Sequence, residues 1–123
     1  MFEVKVNNSF SAAHRLRNYQ GKCEELHGHN WKVEITARTE RLDALGLALD
    51  FSLLKKILTE ELDRLDHKYL NEIPPFDSMN PTSEVLAQYL FDAIGKKIDD
   101  DRVRLVRVDV WENENSRASY FKS

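Results

Sequence analysis

Cys23-Glu24-Glu25-Leu26-His27-Gly28-His29-Asn30-Trp31-Lys32-Val33-Glu34-Ile35-Thr36-Ala37-Arg38 is the stretch whose reading decides the fold. From Trp31 onward the odd positions are mostly apolar and the even positions mostly polar, the period-two pattern of a strand with one buried face. His27 and His29 share the odd parity, so both imidazoles leave the strand on the face that Trp31, Val33 and Ile35 are expected to bury. An unpartnered polar ring is costly on such a face. Imidazole is a good ligand for a borderline cation such as Zn²⁺, and two rings on one face supply half of a tetrahedral site.

A third ligand is expected from the amino-terminal segment. Phe2, Val4, Val6, Asn8, Phe10, Ala12 and His14 form a mostly apolar even-numbered row that ends in a histidine. A bulge near Asn7-Asn8-Ser9 would flip that parity; without one, His14 points inward and completes a three-histidine set. Three nitrogens with no fourth protein ligand leave zinc the open position that catalysis requires. Taken alone, a His-x-His on a strand is more often a pair of satisfied histidines than a pair of ligands. The shared facing of His14, with a cysteine close by, turns the balance toward a metal site.

The totals describe one soluble globular domain over residues 1–123, with 41% hydrophobic and 32% charged residues. No apolar run approaches the length that crosses a bilayer. Met1-Phe2-Glu3-Val4-Lys5 lacks the basic and then apolar segments of a secretory signal, so a cytoplasmic location is expected. A formal net charge of −3 argues against nucleic-acid binding by bulk electrostatics. The lone Cys23 has no internal disulfide partner. It lies in a polar, glycine-bearing segment after Gln20-Gly21-Lys22, which favours a reactive thiol over a buried apolar residue.

After the two strands, Asp50 reads as the N-cap of a helix with Phe51, Leu53, Leu54, Ile57, Leu58, Leu62 and Leu65 on its apolar face. Asn80-Pro81 reads as the N-cap and first residue of a second helix, with Val85, Leu86, Tyr89, Leu90, Ala93 and Ile94 as its stripe. A third strand covers Arg104 to Glu112 with Val106, Val108, Val110 and Glu112 on one face, and Ala118-Ser119-Tyr120-Phe121 makes a fourth. The order ββααββ predicts an α+β fold, a four-stranded antiparallel sheet with both helices on one face. Its two open edges make a homo-oligomer plausible.

Three further groups carry chemistry. Glu112 is a carboxylate on a valine face, either solvated at the rim or placed to accept two hydrogen bonds from a flat ring with adjacent N–H donors. His67 near a helix C-terminus is ordinarily a dipole-stabilised surface residue, but beside Asp66 it is also a candidate proton carrier. Thr82-Ser83-Glu84 fits helix initiation first and a ligand role second.

Phe10-Ser11-Ala12-Ala13-His14, Cys23-x-x-x-His27-Gly28-His29-Asn30, Leu65-Asp66-His67-Lys68-x-Leu70-Asn71, Asn80-Pro81-Thr82-Ser83-Glu84 and Val110-Trp111-Glu112 occur in the order seen in the 6-pyruvoyltetrahydropterin and 6-carboxytetrahydropterin synthase superfamily, which the chain resembles over nearly its whole length. The resemblance implies the tunnelling fold, in which trimers close a barrel of strands and two trimers stack into a hexamer. It implies that His14, His27 and His29 bind Zn²⁺, that Cys23 is the catalytic thiol with Asp66 and His67 as acid–base partners across a subunit boundary, and that Glu112 anchors a pterin. The thiol four residues before His27 resembles the carboxytetrahydropterin branch of queuosine-precursor (preQ0) synthesis. The implied substrate is then 7,8-dihydroneopterin triphosphate, cleaved with loss of acetaldehyde and triphosphate. Arg15, Arg17, Lys22 and Lys68 lie near the implied site in sequence, and nothing in the sequence selects a phosphate ligand among them. The rivals are the pyruvoyl branch, which keeps all the carbons, and a non-catalytic module stabilised by zinc with an inert Cys23.

Overall fold

The computed structural model describes residues 1–122. Strand β1 (Phe2–His14) pairs antiparallel with β2 (His27–Thr39) in unbroken register from Phe2↔Thr39 to His14↔His27. No bulge interrupts Asn7-Asn8-Ser9, so the even row of β1 keeps one face and His14 ends inward among buried residues. On β2 the odd residues Trp31, Val33, Ile35 and Ala37 are fully buried. The Trp31 indole N–H donates to the Ala12 carbonyl at 3.2 Å, which satisfies the one polar atom of a large core side chain.

Strand β4 (Val103–Asn113) pairs antiparallel with β2, and β5 (Ser116–Phe121) pairs antiparallel with β4. Thr36 faces Arg107 while the next residue, Ala37, faces Leu105, so Val106 is the extra residue of a bulge. The period-two reading placed Val106 in one row with Val108, Val110 and Glu112. The bulge removes it, and Val103 and Leu105 occupy the buried positions instead. From Val108 to Glu112 the expected row holds.

Helix α1 (Phe51–Asp63) starts at Asp50, whose carboxylate accepts from Ser52 N at 2.8 Å. It packs over β1, and α2 (Ser83–Ile98) packs over β4 and β5, giving two layers with the core between them. The stripe of α1 is narrower than predicted: Phe51 is 60% and Leu53 47% exposed, while Leu54, Ile57, Leu58 and Leu62 are buried. Buried Glu61 is compensated by Lys97 Nζ of α2 at 2.9 Å, an ion pair that ties the two helices.

Helix α2 begins two residues later than expected. Thr82 is its N-cap, with Oγ1 accepting from Val85 N at 3.1 Å. Asn80 stays outside because its side-chain amide is engaged with the backbone of Arg17.

A fifth strand, β3 (Lys68–Tyr69), runs parallel to β1 at Ala12 and Ala13, so the sheet order is β3-β1-β2-β4-β5. Two residues are too few to show a period. The strand forms because His67 takes a φ of 58° and turns the chain so that its N–H donates to Ser11 O at 2.6 Å. No helix among the described residues is long and apolar enough to cross a membrane.

Leu58→Ala should lower the unfolding free energy by about 2–5 kcal/mol in urea titrations, because it empties core volume that the sheet cannot close. Leu53→Ala on the outer face of the same helix should change it by no more than about 0.5 kcal/mol.

Candidate metal centre

Paired strand ends build the centre. His14 and His27 are register partners at the end of the β1–β2 ladder, and His29 faces Ala12 two steps back. The three ring centroids lie 4.6, 5.1 and 4.7 Å apart. His14 Nδ1 lies 2.8 Å from the Pro81 carbonyl, and His27 Nδ1 lies 2.9 Å from the Glu25 carbonyl. A carbonyl only accepts, so each Nδ1 must carry the proton and each neutral ring must present a lone pair at Nε2. Those two Nε2 atoms face each other at 3.1 Å. His29 Nε2 is buried without a hydrogen-bond partner. Burial pushes the pKa of His29 down, as do the neighbouring rings to a lesser degree, and Glu112 opposes the shift only in part; the ring is held in its neutral, ligand-competent form.

The fourth member of the cluster is Glu112. Its Oε1 lies 3.3 Å from His14 Nε2 and 3.1 Å from His29 Nε2, and ligand atoms of all four side chains fall within 4.8 Å of one another. The sequence reading expected three imidazoles without a fourth protein group. The face shared by Val108, Val110 and Glu112 aims this carboxylate at the rings, and its distance from His29 Nε2 lacks the geometry of a hydrogen bond. Facing ring nitrogens, an orphaned nitrogen and a carboxylate suit a metal ion, and the carbonyls of Pro81 and Glu25, which accept from the far nitrogens of His14 and His27, hold two of the ligands in the required tautomer.

The Asp66–His67 pair is anchored to β1. Asp66 Oδ1 accepts from Ser11 N at 2.8 Å, and its Oδ2 lies 2.8 Å from His67 Nδ1. The Ser11 amide first, and then His67, hold the Asp66 carboxyl below the usual carboxylate range, so it stays ionised at neutral pH. The His67 ring is 82% exposed. Cys23 is exposed on the loop between β1 and β2, and among the described residues it makes no polar contact with this pair.

Four residues to which the sequence reading gave no site role fasten that loop. The Asn71 side chain bonds Arg15 N at 3.0 Å and Arg15 O at 2.9 Å, and Asn80 does the same for Arg17 at 2.8 and 3.0 Å. The Arg17 guanidinium donates to the carbonyls of Asn71, Phe76 and Met79 at 3.2, 2.9 and 3.4 Å. Glu24, beside Cys23, closes the loop through Leu16, accepting from its N at 3.1 Å and donating to its O at 2.9 Å. The signal was the Asn-Pro dipeptide, which local rules assign to helix initiation.

Two cavities share Gly28, His29 and Asn30. One, of about 580 Å³, is bounded by Lys32, Trp111, Glu112 and Glu114. The other, of about 490 Å³, is bounded by Ser11, His67, Lys68 and Tyr69.

Residues 3–123 match the family model described as 6-pyruvoyl tetrahydropterin synthase. A curated relative from Synechocystis sp., a 6-carboxy-5,6,7,8-tetrahydropterin synthase, is 38% identical across 98% of this chain and 94% of its own length. The 6-pyruvoyl tetrahydrobiopterin synthase of Homo sapiens is 35% identical across 96% of this chain and 90% of its own length. The solved structure of Caenorhabditis elegans 6-pyruvoyl tetrahydropterin synthase superposes with a TM-score of 0.83 at 26% identity, covering 99% of this chain and 96% of that one.

Replacing His14, His27 or His29 by alanine should cost more metal affinity than the about 10–100-fold typical of a lost outer-shell partner. Elemental analysis after desalting is expected to show metal retained by the parent chain and absent from each variant.

Proposed function

Because the chain belongs to the 6-pyruvoyl tetrahydropterin synthase family, we propose that it is a zinc-dependent lyase that converts 7,8-dihydroneopterin triphosphate and water to 6-carboxy-5,6,7,8-tetrahydropterin, acetaldehyde and triphosphate, in the route to the queuosine precursor preQ0. The observation that carries this reading is the convergence of three imidazoles on one point, with the Asp66–His67 pair and Cys23 reached from the same strand ends. The spacing of Cys23 four residues before His27 favours the carboxy branch over the pyruvoyl one.

His14, His27 and His29 would hold the ion, which when bound would supply Lewis-acid polarisation of the substrate's side-chain oxygens. Everything else falls to the chain itself. Asp66, kept ionised by the Ser11 amide, orients the His67 ring through Nδ1 and leaves Nε2 free to move protons. Cys23, acting as a thiolate, would take the proton from the carbon beside those oxygens and become the neutral thiol. Among the described residues Cys23 makes no hydrogen bond to Asp66 or His67, and, as the family resemblance implies, the pair serves the thiol of a neighbouring copy. Such an enzyme works as an oligomer, a hexamer of two stacked trimers, and the edge of β1 before Ala12 together with β5 offers unpaired backbone for it.

Glu112 lines the larger cavity beside Trp111, where its two oxygens accept from adjacent N–H donors of the pterin ring. That role requires the carboxylate to turn from the imidazoles it faces here. Glu112→Ala should weaken dihydroneopterin binding by about tenfold or more with metal content unchanged; release of the metal would make the carboxylate a ligand instead.

The decisive experiment incubates metal-loaded protein with 7,8-dihydroneopterin triphosphate and identifies the products by mass. Acetaldehyde and the carboxypterin are expected, while a product retaining all the carbons would establish the pyruvoyl reaction. Cys23→Ala should abolish turnover while the metal stays bound, and undiminished turnover would remove the thiol from the mechanism.

A further inference from the structure

We propose that Asn80 is a positioning residue that couples the metal centre to the loop carrying Cys23, so that occupancy of the centre and order of that loop rise and fall together. The coupling rests on the metal reading of His14, His27 and His29 above and holds whatever the substrate.

Asn80 reads from local sequence as a helix start, but Thr82 does that work, accepting from Val85 N through Oγ1. Asn80 instead bridges two segments 63 residues apart. Its side-chain oxygen accepts from Arg17 N at 2.8 Å and its amide donates to Arg17 O at 3.0 Å, so both ends of the amide hold one residue's backbone. Its own carbonyl accepts from Thr82 N at 2.9 Å, which closes a three-residue turn around Pro81 and fixes the direction of the Pro81 carbonyl. Pro81 is buried, and that carbonyl accepts from His14 Nδ1 at 2.8 Å.

The second ligand hangs on the same anchor from the other side. Arg17 follows Leu16, whose N–H donates to Glu24 Oε1 at 3.1 Å and whose carbonyl accepts from Glu24 N at 2.9 Å. Cys23 and Glu25 flank Glu24, and the Glu25 carbonyl accepts from His27 Nδ1 at 2.9 Å. Between those fastenings, the hydrogen bonds of residues 18–23 among the described residues run only within the loop, from Gly21 N to Asn18 O and from Lys22 N to Tyr19 O. The place of Cys23 is therefore set by the backbone of Leu16, Arg17 and Glu24, and Asn80 ties that backbone to the turn that orients His14. An ion that fixes the His14 and His27 rings fixes both carbonyls, and through them the loop. Linkage makes the effect equal in both directions: the factor by which a loosened loop weakens metal binding is the factor by which bound metal orders the loop.

The test compares the parent protein with Asn80→Ala, Asn80→Asp and Thr82→Ala, each with and without Zn²⁺. Zinc affinity is measured by competition with a chelator, and backbone amide exchange is followed peptide by peptide. In the parent, zinc should slow exchange over residues 16–24 by about fivefold or more. Asn80→Ala should bind zinc about 10–100-fold more weakly and, once saturated, show no slowing of that segment. Asn80→Asp keeps an acceptor for Arg17 N and loses the donor to Arg17 O, so it should fall between the two. Thr82→Ala removes the helix cap but leaves the clamp, so it should lower stability and keep the parent's slowing. Exchange over 16–24 that ignores zinc in the parent overturns the coupling, as does slowing that survives in saturated Asn80→Ala. Loss of the slowing in Thr82→Ala overturns it too, by tracing the effect to a weakened start of α2. Should Asn80→Ala not fold, Asn80→Asp decides, and slowing equal to the parent's overturns the coupling. A parent protein that binds no zinc sinks the metal reading and this inference together.

Discussion

Two imidazole Nε2 atoms that face each other across 3.1 Å are the constraint on which the rest of the structure depends. The Pro81 and Glu25 carbonyls occupy the opposite nitrogens of His14 and His27, so neither ring is free to place a proton between them while it remains neutral. Burial of His14 and the edge-to-face packing of His27, His29 and Trp31 prevent the group from relaxing apart. A cation resolves the arrangement, and a protein that builds it from the ends of its two longest paired strands holds it to the tolerance of a hydrogen-bond ladder. The fold is in this sense a frame for one point in space, with the helices covering the face on which that point lies.

The reacting groups outside the centre sit on less regular backbone, and each is fastened by polar side chains in place of a ladder. Asn71 and Asn80 present an amide donor and acceptor to Arg15 and Arg17 as a neighbouring strand would, and Arg17 returns three hydrogen bonds to the segment that carries them. This makes the loop bearing Cys23 and the turn that supplies the Pro81 carbonyl one mechanical unit. A half-buried arginine whose guanidinium donates only to carbonyls also explains why a cation close to the site in sequence is not available to an anionic ligand.

What was legible in the sequence was whatever repeats with the backbone. The odd parity of His27, His29 and Trp31 and the even parity ending in His14 hold because β1 and β2 pair without a bulge, and the helix stripes hold because α1 and α2 lie flat on the sheet. Single-residue events were illegible. One extra residue at Val106 shifts the parity of the strand before it, and a lone positive φ at His67 creates β3; neither leaves a period to detect. Asn80-Pro81 misled for a different reason. The dipeptide satisfies the local rule for a helix start, but the long-range partners Arg17 and His14 compete for its amide and its carbonyl, and tertiary hydrogen bonds outweigh a local preference. Glu112 was visible as an anomaly on an apolar face. Its proximity to His14 and His29 depends on how β4 registers on β2, which no local pattern encodes.

A net charge of −3 is no obstacle to a triphosphate ligand, because exposed charges farther apart than about 8–10 Å are largely screened and only the local field selects. The chain concentrates carboxylates on one side of His29, at Glu112 and Glu114, and leaves the other side lined by a lysine, a histidine, two hydroxyls and an amide. Orientation of a bound ligand does not follow from the histidines alone, since three equivalent nitrogens are indifferent to the direction in which a diol lies across them.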